Sequence, residues 1–241
     1  MKTIAIIQAR MGATRLPDKP LMPLGVSCML DYVVTRCHAI NAISDVIVAT
    51  SNAERDDRIE QWCMEQGVLV SRGSEEDVLS RFVDAAAPYE PYGIVRVTGD
   101  NPFFDYALAS ELVSAASVGD VDLLAFDAGH PVGSAVEFIT WEALQRLDAL
   151  SGEKRHREHV TYYAYEYPET LRIRRIAQPE SVRQPQLRIT VDTEADYAVV
   201  RAIAKAFPGH RTVPTDQVVQ FLLQHDEITA MNSHIEQKPV R

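Results

Sequence analysis

Fully apolar runs alternate along this chain with stretches whose apolar residues recur at helical spacing. Residues 3–9 read as a buried strand and 29–40 as an amphipathic helix; 45–50 (DVIVAT) read as another strand, followed by a helix over 54–66. Residues 68–71 form a short strand, and Ser74-x-x-Asp77 has the form of a capping box opening a helix through Ala87. A strand over 93–98, a helix over 105–116 and a strand over 121–126 continue the rhythm. Strand alternating with helix predicts βαβ units, hence an α/β fold of three layers around a mostly parallel sheet. Ligands bind such sheets outside the carboxyl ends of the strands, so the loops after each strand are where chemistry is sought.

The rhythm breaks over 127–186, which holds a Gly/Pro/His loop (AGHPVGS), a short strand near 136–139, two helices and a basic extended segment over 171–176. It reads as an excursion from the main sheet, serving as a lid or a subunit contact, within a single domain spanning 1–241. Residues 187–191 return to strand character, Thr193-x-x-Asp196 caps a helix to about 207, and a last helix runs over about 215–225. The residues after about 232 are poor in apolar side chains and read as a loose tail.

Composition excludes several classes. Lys+Arg 24 against Asp+Glu 34 gives a net charge of -10, which disfavours a nucleic-acid polymer as partner. No apolar stretch is long enough to span a membrane. The three cysteines, with no C-x-x-C, point to reduced thiols and a cytoplasmic protein. The charge is uneven: residues 1–40 carry five bases (Lys2, Arg10, Arg15, Lys19, Arg36) and two acids, so the remainder carries 19 bases against 32 acids. An acidic chain with a basic leader suggests local anion binding.

That leader contains QARMGATRLPDKPL, residues 8–21, directly after the first strand. It is neither a P-loop nor a G-x-G-x-x-G turn. Arg10, Arg15 and Lys19 share a short loop with Gly12 and Thr14, small residues that let backbone N–H groups approach an anion; the alternative is a set of solvated loop charges. In RVTGDNPFFD, residues 96–105, Asp100 ends a strand beside Asn101 and is a candidate ligand for a hard cation, or part of an ordinary turn. Asp192, in ITVDTEAD at the end of the last core strand, has the same two readings. Two strand-end carboxylates and a tri-cationic loop together suggest metal-assisted phosphoryl or nucleotidyl transfer. In EKRHREHVTYY (153–163) His156 and His159 lack the flanking pattern of a zinc site, and the stretch reads as a cationic face for an acidic substrate or as a solvated or subunit-contact helix.

Seven ordered blocks resemble one family: the 8–21 segment, VIVATS, SRGSEEDVLSRF, RVTGDNP, EFIT, REHVT and TVDTEAD. The chain resembles the cytidylyltransferases that make CMP-sugars, of the CMP-KDO synthetase type, and their spore-coat polysaccharide branch. The resemblance implies a Rossmann-like nucleotidyltransferase fold, CTP as donor, Mg²⁺ as cofactor and an acidic small-molecule acceptor. It implies that Arg10, Arg15 and Lys19 bind the triphosphate, with Asp100 and Asp192 on the metal. Ala9, Ala49, Thr50, Ser51, Arg72, Gly73 and Asp77 are expected around the nucleoside, and Asn101, Glu137, Arg157 and His159 at the acceptor. The block around Asp100 departs from the Gln-Gly-Asp-Glu-Pro of KDO activators, and the first motif lacks the Gly-Ser-Lys of sialate activators, so neither sugar acid is indicated. A metal-dependent glycosyltransferase of related fold and a silent nucleotide-binding protein are the other readings. Tyr162, Tyr163, Tyr165 and Tyr167 offer aromatic area for a homodimer contact.

Overall fold

A computed structural model of the chain describes residues 1–13 and 15–237; Thr14, expected in the phosphate loop, lies outside the described residues. The first half alternates as its apolar pattern requires: β1 (Thr3–Gln8), a small hairpin of β2 (Pro23–Leu24) and β3 (Ser27–Cys28), α1 (Met29–His38), β4 (Ile43–Ser51), α2 (Asp57–Gln66), β5 (Leu69–Gly73), α3 (Val78–Ala86), β6 (Gly93–Thr98), α4 (Tyr106–Ala116) and β7 (Leu123–Phe126). Then come β8 (Glu137–Thr140), α5 (Trp141–Leu150), α6 (Lys154–Glu158), α7 (Tyr162–Glu166), β9 (Ile173–Ile176), α8 (Glu194–Ala206), α9 (Thr215–Leu223) and α10 (Asp226–Thr229). Seven of these strands form one sheet in the order β5-β4-β1-β6-β8-β7-β9, parallel except where β8 runs against β6 and β7.

The period of two in β1 explains the layering. Ala5 and Ile7 face α1 and α4 in one apolar cluster, while Ile4 and Ile6 face α3 and α5 in another. A third cluster joins the β2–β3 hairpin and Phe103 to α8 and α9. Each wholly buried isoleucine of β1 contributes roughly 2 kcal/mol of burial.

The structure differs from the sequence expectations in four places. Ser74 does not cap a helix: Asp77 is the cap, accepting from the Ser80 amide, and Ser74 Oγ instead accepts from the Asp77 amide. The 127–186 stretch is not off the sheet, because β8 and β9 are two of its strands. Residues 187–191 are extended but outside the sheet; they are tied by a Val132–Arg188 bridge and by the Val191 amide donating to Asp100 O at 2.9 Å. Beyond 232, Gln237 accepts from Arg188 Nη1 at 2.7 Å, so the chain up to residue 237 is held against the body of the protein, while the rest of the expected tail lies outside the described residues. The Thr193–Asp196 capping box of α8 is formed in both directions. No helix among the described residues is long and apolar enough to cross a membrane.

Candidate active site

Because β1, β4 and β6 run parallel, their carboxyl ends share one edge, with Gln8 opposite Ala49 and Thr98. The loops leaving β1 and β6 border a cleft of about 570 Å³ there. Gly99 permits this close approach: a Cβ on it would meet Gln8 O at 3.0 Å and Ala9 Cβ at 3.1 Å. Gly133, with φ of 95°, brings the opposite rim against Thr190, where a Cβ would lie 2.5 Å from the amide nitrogen.

Lys19 is the centre of the charged cluster. Its Nζ donates to Asp100 Oδ2 at 3.0 Å, to the Val191 carbonyl at 2.9 Å and to Asp192 Oδ1 at 3.4 Å. The two aspartates, far apart in sequence, thus meet around one ammonium. Burial would lower the Lys19 pKa, but Asp100 and Asp192 outweigh it and raise the value. Burial would raise the Asp100 carboxyl, but Lys19, with hydrogen bonds from Thr98 and from Lys19 itself, holds it below the ordinary carboxylate range. Arg15 Nη2 lies 3.3 Å from Asp192 Oδ1, and Arg10 lies 3.5 Å from Glu158 while donating to the Glu75 carbonyl.

The loop that carries these cations is stapled from beneath. Asp56, wholly buried, accepts from the Met11 amide at 2.7 Å and from the Ser51 amide and hydroxyl, joining the ends of β1 and β4. The Asp192 carboxylate is divided: Oδ2 accepts from Arg188 Nη2 at 2.7 Å, and Oδ1 faces Lys19 and Arg15.

Of the residues singled out in the sequence, Ala9, Arg10, Arg15, Lys19, Asp100, Asn101, His159 and Asp192 line the cleft. The others do not. Gly12 packs against the Arg55 guanidinium. Ala49, Thr50 and Ser51 are buried behind the cleft wall. Arg72 is taken up by Glu60, Asp57 and the carbonyls of Ser51 and Ala53, and the Gly73 carbonyl accepts from the Asn52 amide. Asp77 and Arg157, assigned to different ligands, instead pair with each other, Nε to both Asp77 oxygens at 2.9 Å. Arg157 also meets Asp148 at 2.8 Å, so its charge ties α6 to α3 and α5. Glu137 stands behind the wall, accepting from Arg96, Thr161 and Tyr165.

Sequence reasoning missed Gln8, Arg81, Arg96 and Gln237, all of which line the cleft. Arg96 carried a readable signal, a lone charge in an otherwise apolar strand; Arg81 stands three residues after Val78, on the buried stripe of α3. Arg81 is buried, donates Nη1 to the Ser74 carbonyl at 3.2 Å and leaves Nε without a partner. Burial, with Arg10 nearby, lowers its pKa. Nothing in the sequence marked Gln237.

A parallel-sheet edge with clustered cations and two carboxylates around a lysine suits transfer at a phosphate. The family model described as Cytidylyltransferase matches residues 4–232. Spore coat polysaccharide biosynthesis protein SpsF of Bacillus subtilis is 37% identical over 224 residues, which are 90% of this chain and 92% of that protein. A solved cytidylyltransferase of Leptospira borgpetersenii serovar Hardjo-bovis is 29% identical, with a TM-score of 0.89 over 98% of this chain and all of that one. CMP:2-keto-3-deoxy-manno-octonic acid synthetase complexed with CTP, at 20% identity, shares the fold with a TM-score of 0.65 over 86% of this chain and 100% of its own. The chain therefore belongs to the cytidylyltransferase family and has its α/β nucleotidyltransferase fold.

Proposed function

We propose that the protein transfers CMP from CTP to an acidic small-molecule acceptor and releases pyrophosphate. The observation that carries this reading is the meeting of Asp100 and Asp192 around Lys19 at the mouth of a cleft lined by Arg10 and Arg15. An acceptor oxygen attacks the α-phosphorus, the bond to the pyrophosphate oxygen breaks, and the acceptor's proton leaves to solvent or a basic neighbour. In this reading Arg10 and Arg15 hold the β- and γ-phosphates, exchanging Glu158 and Asp192 for phosphate oxygens. Lys19 meets the charge that develops at the α-phosphate. Gln8, Thr98 and Asn101 supply neutral polar groups along the wall of the same cleft.

The donor set fits Mg²⁺. Both carboxylates already face one cation, Lys19 Nζ, at 3.0 Å from Asp100 and 3.4 Å from Asp192, and a metal held by the pair would require the ammonium to turn from them toward the phosphate. Among the described residues no three His, Cys, Asp or Glu side chains cluster to hold a metal, which leaves the further ligands to phosphate and water, as Mg²⁺ prefers. Bound there through Asp100 and Asp192, Mg²⁺ would supply neutralisation of the phosphate charge and fix the triphosphate's orientation. The likeness to SpsF supports a setting in surface polysaccharide synthesis, and three buried, unpaired thiols fit the cytoplasm. In this role the chain is read as a homodimer. β9 lies at the open edge of the sheet and Tyr167 is exposed, whereas Tyr165 is turned inward to Glu137. Light scattering should give the mass of two 26.9-kDa chains, and a single-chain mass overturns the dimer.

Incubation with CTP, Mg²⁺ and a panel of sugar acids, sugar phosphates and phosphonates should release pyrophosphate with at least one acceptor. Absence of CTP binding, or a nucleoside diphosphate as the released product, rejects the reading; the latter would mark a glycosyltransferase.

A further inference from the structure

Arg96 is a cation of the cleft that lies apart from the loop carrying Arg10, Arg15 and Lys19. It stands on β6 directly opposite Glu137 of β8, on the sheet face that Thr161 and Tyr165 cover. Nη1 donates to Glu137 Oε2 at 3.0 Å, Nη2 donates to Gln8 Oε1 at 3.3 Å, and Nε is buried without a partner. A guanidinium has five N–H donors, so about three of them remain unused. Glu137 is held at both oxygens: besides Arg96 it accepts from Thr161 Oγ1 at 2.7 Å and from the Tyr165 hydroxyl. Two hydroxyls thus hold the carboxylate that holds the arginine, and the guanidinium is a fixed donor in the wall. A surface arginine would be free to swing.

The charge of Arg96 is felt in the cleft despite its partner. The His159 imidazole, on the same lining, has its pKa lowered first by burial and further by Arg96, against the opposing effect of Glu158. An anion between Arg96 and His159 would satisfy the unused donors and relieve that repulsion. Position limits what the anion belongs to. Arg96 lies two residues below Thr98, about 7 Å along the strand, and Asp100 lies beyond Thr98.

We infer that Arg96 binds the anionic group of the acceptor, and that this group is several bonds away from the oxygen that attacks the nucleotide. An acid whose anionic group lies several bonds from its reacting oxygen suits that offset along the strand better than a two-carbon acid does. The inference rests on the cytidylyl-transfer reading for the position of the attacking oxygen. Glu137, Thr161 and Tyr165 act through Arg96 as positioning residues.

Calorimetric titration of the full chain tests this, first with CTP alone and then, with CTP bound and divalent metal withheld, with four probes. These are D-gluconate, D-glucose 6-phosphate, the neutral D-glucitol and the short acid glycolate. Wild type is expected to bind gluconate or glucose 6-phosphate about tenfold or more tighter than glucitol and glycolate, the better of the two telling carboxylate from phosphate. Arg96→Gln should abolish the preference and Arg96→Lys should weaken it several-fold, since an ammonium lacks the planar fork. CTP affinity should stay within about twofold in both variants, which also shows that they are folded. If neither anion outbinds glucitol in wild type, or if the preference survives intact in the Arg96→Gln or Arg96→Lys protein, the inference is overturned. Failure of the first titration, with CTP, instead removes the cytidylyl-transfer reading.

Discussion

Lys19 and Asp100 stabilise each other and, by the same contact, set the charge state of the cleft. Asp100, held below the ordinary carboxylate range, contributes stability that is present above its unfolded pKa of about 3.9 and is lost as pH falls through the lower folded value. Lys19, whose pKa is raised, contributes stability that is complete below its unfolded pKa of about 10.4 and is lost as pH rises through the higher folded one. Lys19→Met leaves two carboxylates facing each other, so it should lower the melting temperature most between those limits, by an amount equivalent to about 1–3 kcal/mol. The gap to wild type should close as pH falls through the lowered Asp100 value and that carboxylate protonates; a gap that widens on acidification contradicts the pairing. Asp100→Asn should reduce pyrophosphate release about 100-fold or more, equivalent to roughly 3 kcal/mol, while CTP still binds. Full activity in that variant is incompatible with the metal reading. The residues that carry these effects were legible because they sit in loops after strands, where charge is seldom structural. Arg157 and Glu137 pair with internal partners off the cleft lining, which the sequence does not reveal because a charged side chain in a motif looks the same whether it faces a ligand or an internal partner. Only the positions of Asp77, Asp148, Tyr165 and Thr161 decide between the two, and those depend on tertiary packing.

At the scale of the element, the turn from β1 is shaped as much by α2's entry as by its own sequence. Asp56, in the single 3-10 turn before α2, accepts amide protons from Met11 and Ser51 and leaves the 10–19 loop poised over the cleft. Asp56→Asn keeps the shape but replaces one acceptor oxygen with a donor, leaving an amide or hydroxyl unsatisfied. We expect a loss of about 1–3 kcal/mol in denaturant unfolding together with weaker CTP binding. Stability lost without any change in CTP affinity would show that the staple does not shape the phosphate loop. The alternation of strands and helices was readable from periodicity because burial on both faces of a parallel sheet leaves near-continuous apolar runs. Residues 187–191 misled for the same reason. Leu187, Ile189 and Val191 of LRITV alternate like a strand because they pack into the third cluster, and the segment's backbone bonds go to Asp100 and Val132 instead of a sheet neighbour. The shift of the α3 start from Ser74 to Asp77 is of the same kind, since both residues make capping-type bonds and only the helix axis decides which one is the cap.

For the whole molecule, the net charge of -10 and the character of the cleft have opposite signs. Arg10, Arg15, Lys19, Arg81 and Arg96 all line one concavity, against the carboxylates of Asp100, Glu158 and Asp192. On the proposed reading, the acids outside this concavity repel a triphosphate at long range, and Arg10, Arg15 and Lys19 attract it at short range. Salt screens both, with a Debye length near 10 Å at 0.1 M, but on that reading the short-range contacts are the cationic ones. CTP affinity measured without metal should therefore fall about tenfold as NaCl rises from roughly 50 to 500 mM. Arg15→Ala should both weaken binding at low salt and flatten the dependence, because among the described residues Arg15 meets Asp192 alone. Reversing a surface acid remote from the cleft, as in Glu227→Lys, should change neither slope nor affinity beyond about twofold. Affinity that does not respond to salt in wild type would mean that the nucleotide is held by neutral contacts, and that the cations serve their carboxylate partners alone.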